Sequence, residues 1–159
     1  MCFYRELLSR SGIALALGVN VKEQEHTVKQ SIPWRILVTD RNPRVRRLLC
    51  RELEREGFRV LSASGWNEIA RAVSNGVDCV VMDLNLTSQA GQDGSVLLEQ
   101  LKLNAPHIPV VVHAFSSEEA LEADALRLAS AVVEKSGNTE GLKAAVHRVL
   151  DHGRRRGQA

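Results

Sequence analysis

Short apolar runs recur from residue 35 onward, and helical periodicity fills the stretches between them. The runs are Ile36-Leu37-Val38-Thr39-Asp40, Phe58 to Ala63, Cys79-Val80-Val81-Met82-Asp83, Val110-Val111-Val112 and Ala131-Val132-Val133. They are too short for core helices. Most are apolar without alternation, as expected of strands covered on both faces.

The intervening segments carry helix signals. Asn42 can cap a helix with Pro43 at its first position. Val45, Leu48, Leu49 and Leu53 then form a stripe that Gly57 ends. Trp66 to Val73 reads as a short helix closed by Asn75-Gly76, and Val96, Leu97, Leu98 and Leu101 mark a third. Ser116-Ser117-Glu118-Glu119 begins another, with Leu121, Ala125 and Leu128 on one face. Asn138 or Thr139 caps the last, whose stripe is Leu142, Ala145, Val146 and Leu150. Strand followed by helix, five times over, predicts an α/β fold: a doubly wound five-stranded parallel sheet with helices on both faces. In such sheets the functional site lies beyond the carboxyl ends of the strands. Asp40, Asp83, Ala114 and Lys135 each close or follow a strand, so all fall at that edge.

Composition narrows the class. The 159 residues suit one domain with some surplus, and with aromatics at 4% the core must be Leu, Val, Ile and Ala. A net charge of +2 is too weak to indicate nucleic acid. Cys2, Cys50 and Cys79 stand far apart and outside metal-ligand spacings, which reads as reduced thiols in a cytoplasmic protein. No stretch approaches the roughly 18 apolar residues of a membrane span. The run Ile13 to Val19 follows Glu6 and precedes a poor cleavage sequence, which argues against a signal peptide.

An Asp at a strand end can be a nucleophile that attacks a phosphoryl donor to give an acyl phosphate. Such a site needs cations: magnesium held by carboxylates, and Lys as a point charge. The bland alternative is that Asp40 and Asp83 cap loops. Enzymatic use of the fold is disfavoured. No G-x-G-x-x-G follows the first strand, no G-x-x-x-x-G-K-[ST] occurs, and the loop after Asp40 is Arg-Asn-Pro-Arg, without glycine. His107 and His113 read as satisfied or solvated histidines, Cys50 as core packing, and Trp34 and Trp66 as packing or interface residues.

Five segments together resemble the receiver domains of two-component response regulators: ILVTDRNPRVRRLL, DCVVMDLNL, DGSVLLEQLK, IPVVVHAFS and AVVEKSGNTEGLKAAV. The resemblance implies a flavodoxin-like (βα)5 receiver fold, whose strand order is 2-1-3-4-5. It implies a receiver over 34–152, an N-terminal extension over 1–33 without an assigned role, and a basic tail over 153–159. Asp83 becomes the phosphoacceptor, Asp40 the first of the acidic pair, and Lys135 the phosphoryl-contacting Lys. Asp40, Asp83 and the Asn85 carbonyl become the Mg2+ ligands. The implied partners are a sensor histidine kinase or phosphotransfer protein and a downstream protein. A homodimer is compatible, and direct nucleic-acid binding is not expected. The expected function is a stand-alone receiver in a two-component phosphorelay, signalling by protein contact. The alternative is a phosphorylation-independent pseudo-receiver acting as an adaptor.

Departures from the family pattern are specific. Arg41 stands where a second acidic residue is usual, Ala114 in place of the hydroxyl residue, Val132 in place of the aromatic switch, and Ser136 in place of Pro. The loop from Asp83 to Asp93-Gly94 is longer than usual by a few residues. Two unit charges in contact interact by about 4 kcal/mol at an effective dielectric of 20. Arg41 is therefore expected to pair with Asp83, weaken Mg2+ binding and partly replace the metal.

Overall fold

The computed structural model describes residues 33–86, 91, 93–115 and 127–156. The strands are β1 (Arg35–Thr39), β2 (Arg59–Ala63), β3 (Cys79–Met82), β4 (Val110–Ala114) and β5 (Ala131–Glu134). The helices are α1 (Pro43–Arg55), α2 (Trp66–Ser74), α3 (Gly94–Asn104) and α4 (Glu140–Arg156). Most of the expected helix beginning at Ser116, the N-terminal extension and most of the Thr87 to Gly94 loop lie outside the described residues, and Leu128, at the described end of that helix, is 38% exposed.

All strand pairs are parallel, and the sheet order is β2-β1-β3-β4-β5. Side chains alternate between two cores, which explains why the inner strands read as unbroken apolar runs. Leu37, Val80, Met82, Val110 and Val112 face one core, with Ile69 of α2 and Leu97, Leu98 and Leu101 of α3. Ile36, Val38, Cys79, Val81 and Val111 face the other, with Leu49 and Leu53 of α1 and the stripe Leu142, Ala145, Val146 and Leu150 of α4. Trp66 packs against the first core, and Trp34 and Cys50 against the second. Burial pushes the Cys79 thiol up to about 12, so it is an inert core group.

The Asn42 side chain accepts the Arg44 N–H at 2.9 Å, and Pro43 opens α1. Gly57, at φ +88°, turns the chain toward β2 in a conformation other residues adopt only with strain. Two expectations are corrected. Leu48 does not join the buried stripe: it is 40% exposed, because α1 packs on the sheet through Leu49 and Leu53, with Val45 and Cys50 at their margin. The arginines after Gly153 do not begin a separate tail: α4 continues to Arg156. Arg is a good helix former and its charge suits a helix C-terminus. The Arg154 guanidinium also lies 5.2 Å from the Trp34 ring centroid.

At the start of α3 the backbone meets the segment after β3. The Gly94 N–H donates to the Leu84 carbonyl at 3.1 Å, and a Cβ on Gly94 would fall 2.2 Å from that oxygen. Glycine is required there for close approach, whereas Gly57 has open space around it and only its dihedral at stake. Gly94→Ala is therefore expected to lower stability by about 2–3 kcal/mol in urea denaturation. Gly57→Ala should cost roughly 1 kcal/mol. A Gly94→Ala protein as stable as wild type would mean that the α3 start is free to shift.

Candidate functional site

β1 and β3 are neighbours with Thr39 opposite Met82, so the next residues, Asp40 and Asp83, emerge side by side. The Asp83 N–H donates to the Thr39 carbonyl at 3.1 Å, extending the ladder past the strands. From β1 the chain crosses to β2 on one side, and from β3 to β4 on the other. The loops therefore diverge at this carboxyl edge. Both carboxylates are buried there, Asp40 at 1% exposure and Asp83 at 2%.

Lys135 arrives from the sheet edge. Glu134 pairs with Ala114, and the Lys135 N–H donates to the Ala114 carbonyl at 2.7 Å. The side chain, 9% exposed, reaches past β4 to place Nζ 2.9 Å from Asp83 Oδ1 and 3.1 Å from Asp40 Oδ2. Each carboxylate also holds its own turn: Asp40 Oδ1 accepts the Asn42 N–H at 2.7 Å, and Asp83 Oδ1 the Asn85 N–H at 3.1 Å. Arg46 donates from its guanidinium to the Asp40 carbonyl at 2.6 Å. Loop capping and a shared charged pocket are thus the same arrangement.

The pocket holds two carboxylates and one ammonium, a net charge of −1 away from water. Charges so buried persist only when paired and hydrogen-bonded. The compensation is incomplete. Asp40 Oδ2 is in ion contact with Lys135 at 3.1 Å but outside hydrogen-bond geometry, so it is buried without a hydrogen-bond partner. Thr39 Oγ1 on β1 and His113 Nδ1 on β4 are also buried without one.

His113 holds more than sequence reading assigned it: it is 7% exposed, and its Nδ1 is buried without a hydrogen-bond partner. Burial holds its pKa below the ordinary value, Lys135 pushes it further down, and Asp40 and Asp83 oppose that. The available signal was a polar residue continuing the apolar run Val110 to Val112. Phe115 was missed as well; its ring centroid lies 5.3 Å from Lys135 Nζ.

The expected Arg41–Asp83 pair does not form. Arg41 is exposed on the turn before α1 and makes no ion pair among the described residues, while Lys135 occupies the place beside Asp83. Ala114 is buried at 3% and carries no hydroxyl, and Val132 is 51% exposed. Among the described residues no group of three His, Cys, Asp or Glu side chains converges. Magnesium needs fewer: it is usually bound through one or two carboxylates and keeps several waters. Asp40 Oδ2, buried beside Asp83 and without a hydrogen bond, fits that requirement.

The profile of the response regulator receiver domain matches residues 36–147. Among solved structures, NtrX from Brucella abortus in complex with ADP is 25% identical with a TM-score of 0.72, over 80% of this chain and 29% of that one. The chain thus corresponds to under a third of that NtrX chain. The receiver domain of NtrX from the same organism is 27% identical, with a TM-score of 0.67, over 73% of this chain and 98% of that one. The response regulator TrrA from Thermotoga maritima in complex with Mg2+ and BeF is 25% identical, with a TM-score of 0.65, over 73% of this chain and 98% of that one. A search of curated proteins found no match.

Removing Lys135 leaves two buried carboxylates facing each other, whereas removing the Asp83 charge leaves a neutral Lys135–Asp40 pair. Lys135→Met should cost about 3 kcal/mol or more in urea denaturation, and Asp83→Asn less than roughly 1 kcal/mol. Equal losses would contradict this charge balance. His113 supplies a pH test. Its folded pKa is depressed, so its contribution is fully present above the ordinary pKa near 6.5 and is lost as pH falls below it. Wild type should lose more stability between pH 7 and pH 5 than His113→Leu does; parallel curves would show that His113 is not the group responsible.

Proposed function

The chain belongs to the response regulator receiver family, and from that premise we propose that Asp83 accepts a phosphoryl group from a sensor histidine kinase or phosphotransfer protein. The observation that carries this reading is the Lys135 ammonium held 2.9 Å from Asp83 Oδ1 and 3.1 Å from Asp40 Oδ2, in a pocket at the carboxyl edge of the sheet. An Asp83 carboxylate oxygen attacks the phosphorus of the donor phosphohistidine. The P–N bond breaks, the imidazole leaves, and Asp83 carries an acyl phosphate. Lys135 stands where negative charge accumulates on the phosphoryl oxygens. Asp40, Asp83 and the Asn85 carbonyl would hold Mg2+, which when bound neutralises charge on those oxygens. Arg41 contributes a guanidinium where the family has a second acid, and so weakens the metal without blocking Asp83.

The output is contact with a downstream protein. Ala114 offers no hydroxyl to the phosphoryl group, and Val132 offers no aromatic ring to move. The added charge itself must therefore reorganise the edge around the pocket. No helix among the described residues is long and apolar enough to cross a membrane. We place the domain in the cytoplasm with its kinase partner.

A second reading is a phosphorylation-independent adaptor, favoured by the loss of the switch pair at Ala114 and Val132. Intact mass after incubation with acetyl phosphate separates the two. Wild type should gain one phosphoryl group and Asp83→Asn none, and Arg41→Asp should need about ten-fold less magnesium for the same yield. No gain in wild type at any magnesium concentration would leave the adaptor.

A further inference from the structure

We propose that Phe115 is a positioning residue for Lys135: its ring covers the ammonium from the solvent side and keeps it between Asp40 and Asp83. The inference rests on the reading of this pocket as the phosphoacceptor site, and names a residue that controls it.

Phe115 is the first residue after β4 and Lys135 the first after β5. The hydrogen bond from the Lys135 N–H to the Ala114 carbonyl locks these two strand ends together. The ring centroid then lies 5.3 Å from Lys135 Nζ, within the range of a cation–π contact. The exposures differ sharply. Phe115 is 53% exposed, whereas the Lys135 side chain is 9% exposed. A ring so open to water is not a core group. It lies within cation–π range of the ammonium while about half of the residue is open to water. The carboxylates take the inner side of Nζ, at 2.9 Å and 3.1 Å, and the negative face of the ring takes another.

A Lys side chain has four carbons and many rotamers, and several would swing Nζ into water. An adjacent ring disfavours those rotamers in two ways, by occupying space and by attracting the cation. An ammonium–ring contact at a half-exposed site corresponds to a change of about two- to five-fold in an equilibrium. During transfer the ammonium must stay with the phosphoryl oxygens while the donor bond to phosphorus breaks and the Asp83 oxygen bond forms. A ring that limits excursions of Nζ keeps it available throughout that step.

The test uses the full chain as wild type, Phe115→Leu, Phe115→Ala and Phe115→Trp, each checked by thermal melting. The first measurement is the rate of reductive methylation of Lys135 by formaldehyde and cyanoborohydride, followed by peptide mass spectrometry. It involves no phosphoryl group. The second is the maximal rate of Asp83 phosphorylation at saturating phosphoramidate. Phe115→Leu and Phe115→Ala should methylate Lys135 about two- to five-fold faster and phosphorylate Asp83 slower by a similar factor. Phe115→Trp should match wild type in both. Wild-type behaviour of Phe115→Leu would overturn the role of the ring, and unchanged methylation in all variants would overturn positioning altogether. If wild type takes up no phosphoryl group, the phosphoacceptor reading fails, and the methylation rates still decide whether Phe115 holds Lys135.

Discussion

One ammonium shared by two buried carboxylates organises the carboxyl edge of this sheet. Lys135 Nζ lies within 3.1 Å of both Asp40 and Asp83, and all three side chains are at most 9% exposed. Buried carboxylates of this kind need a paired cation, because desolvating an unpaired carboxylate is costly. The Lys can reach both only because β1 and β3 adjoin, with β4 and β5 ordered beside them. Sheet order and charge pairing are therefore mutually dependent. The pocket is also left one negative charge in excess, with Asp40 Oδ2 short of a hydrogen bond. A site in that condition favours a further cation or a redistribution of its charge.

The sheet that holds the pocket is supported on both faces. Leu97, Leu98 and Leu101 close one core, while Leu49, Leu53, Leu142 and Val146 close the other. Gly94 connects this packing to the site, since α3 can begin against the Leu84 carbonyl only without a side chain. Leu84 directly follows Asp83, so the position of α3 bears on the loop that carries the acid.

On the proposed reading, the departures from the family pattern separate acceptance of a phosphoryl group from its readout. Asp83 and Lys135, where the family pattern has its anchors of acceptance, are in contact. The positions that normally transmit the change, Ala114 and Val132, lack the hydroxyl and the ring. Around the pocket stand two groups the family pattern did not suggest. His113 is buried with a free Nδ1, and Phe115 lies over the ammonium. A pocket altered in this way would respond to charge through its own neighbours rather than through the usual pair.

Periodicity and composition determined the secondary structure from local rules. Apolar runs became strands, Asn42 with Pro43 opened α1, and the stripe of α4 was found buried. The strand-end rule also placed Asp40, Asp83 and Lys135 at one edge, because a parallel sheet points every strand end the same way. Which cation would neutralise Asp83 was not legible. Sequence adjacency suggested Arg41, a neighbour of Asp40, but a turn carries that side chain to solvent. Lys135, 52 positions from Asp83, takes the place because β4 and β5 bring it there. The same holds for Leu48, for His113 and for Phe115, whose surroundings come from strands and helices distant in the chain. Local patterns reflect backbone geometry, which is a short-range property. Pairing and burial of charge depend on which distant segments adjoin, and only the tertiary structure decides that.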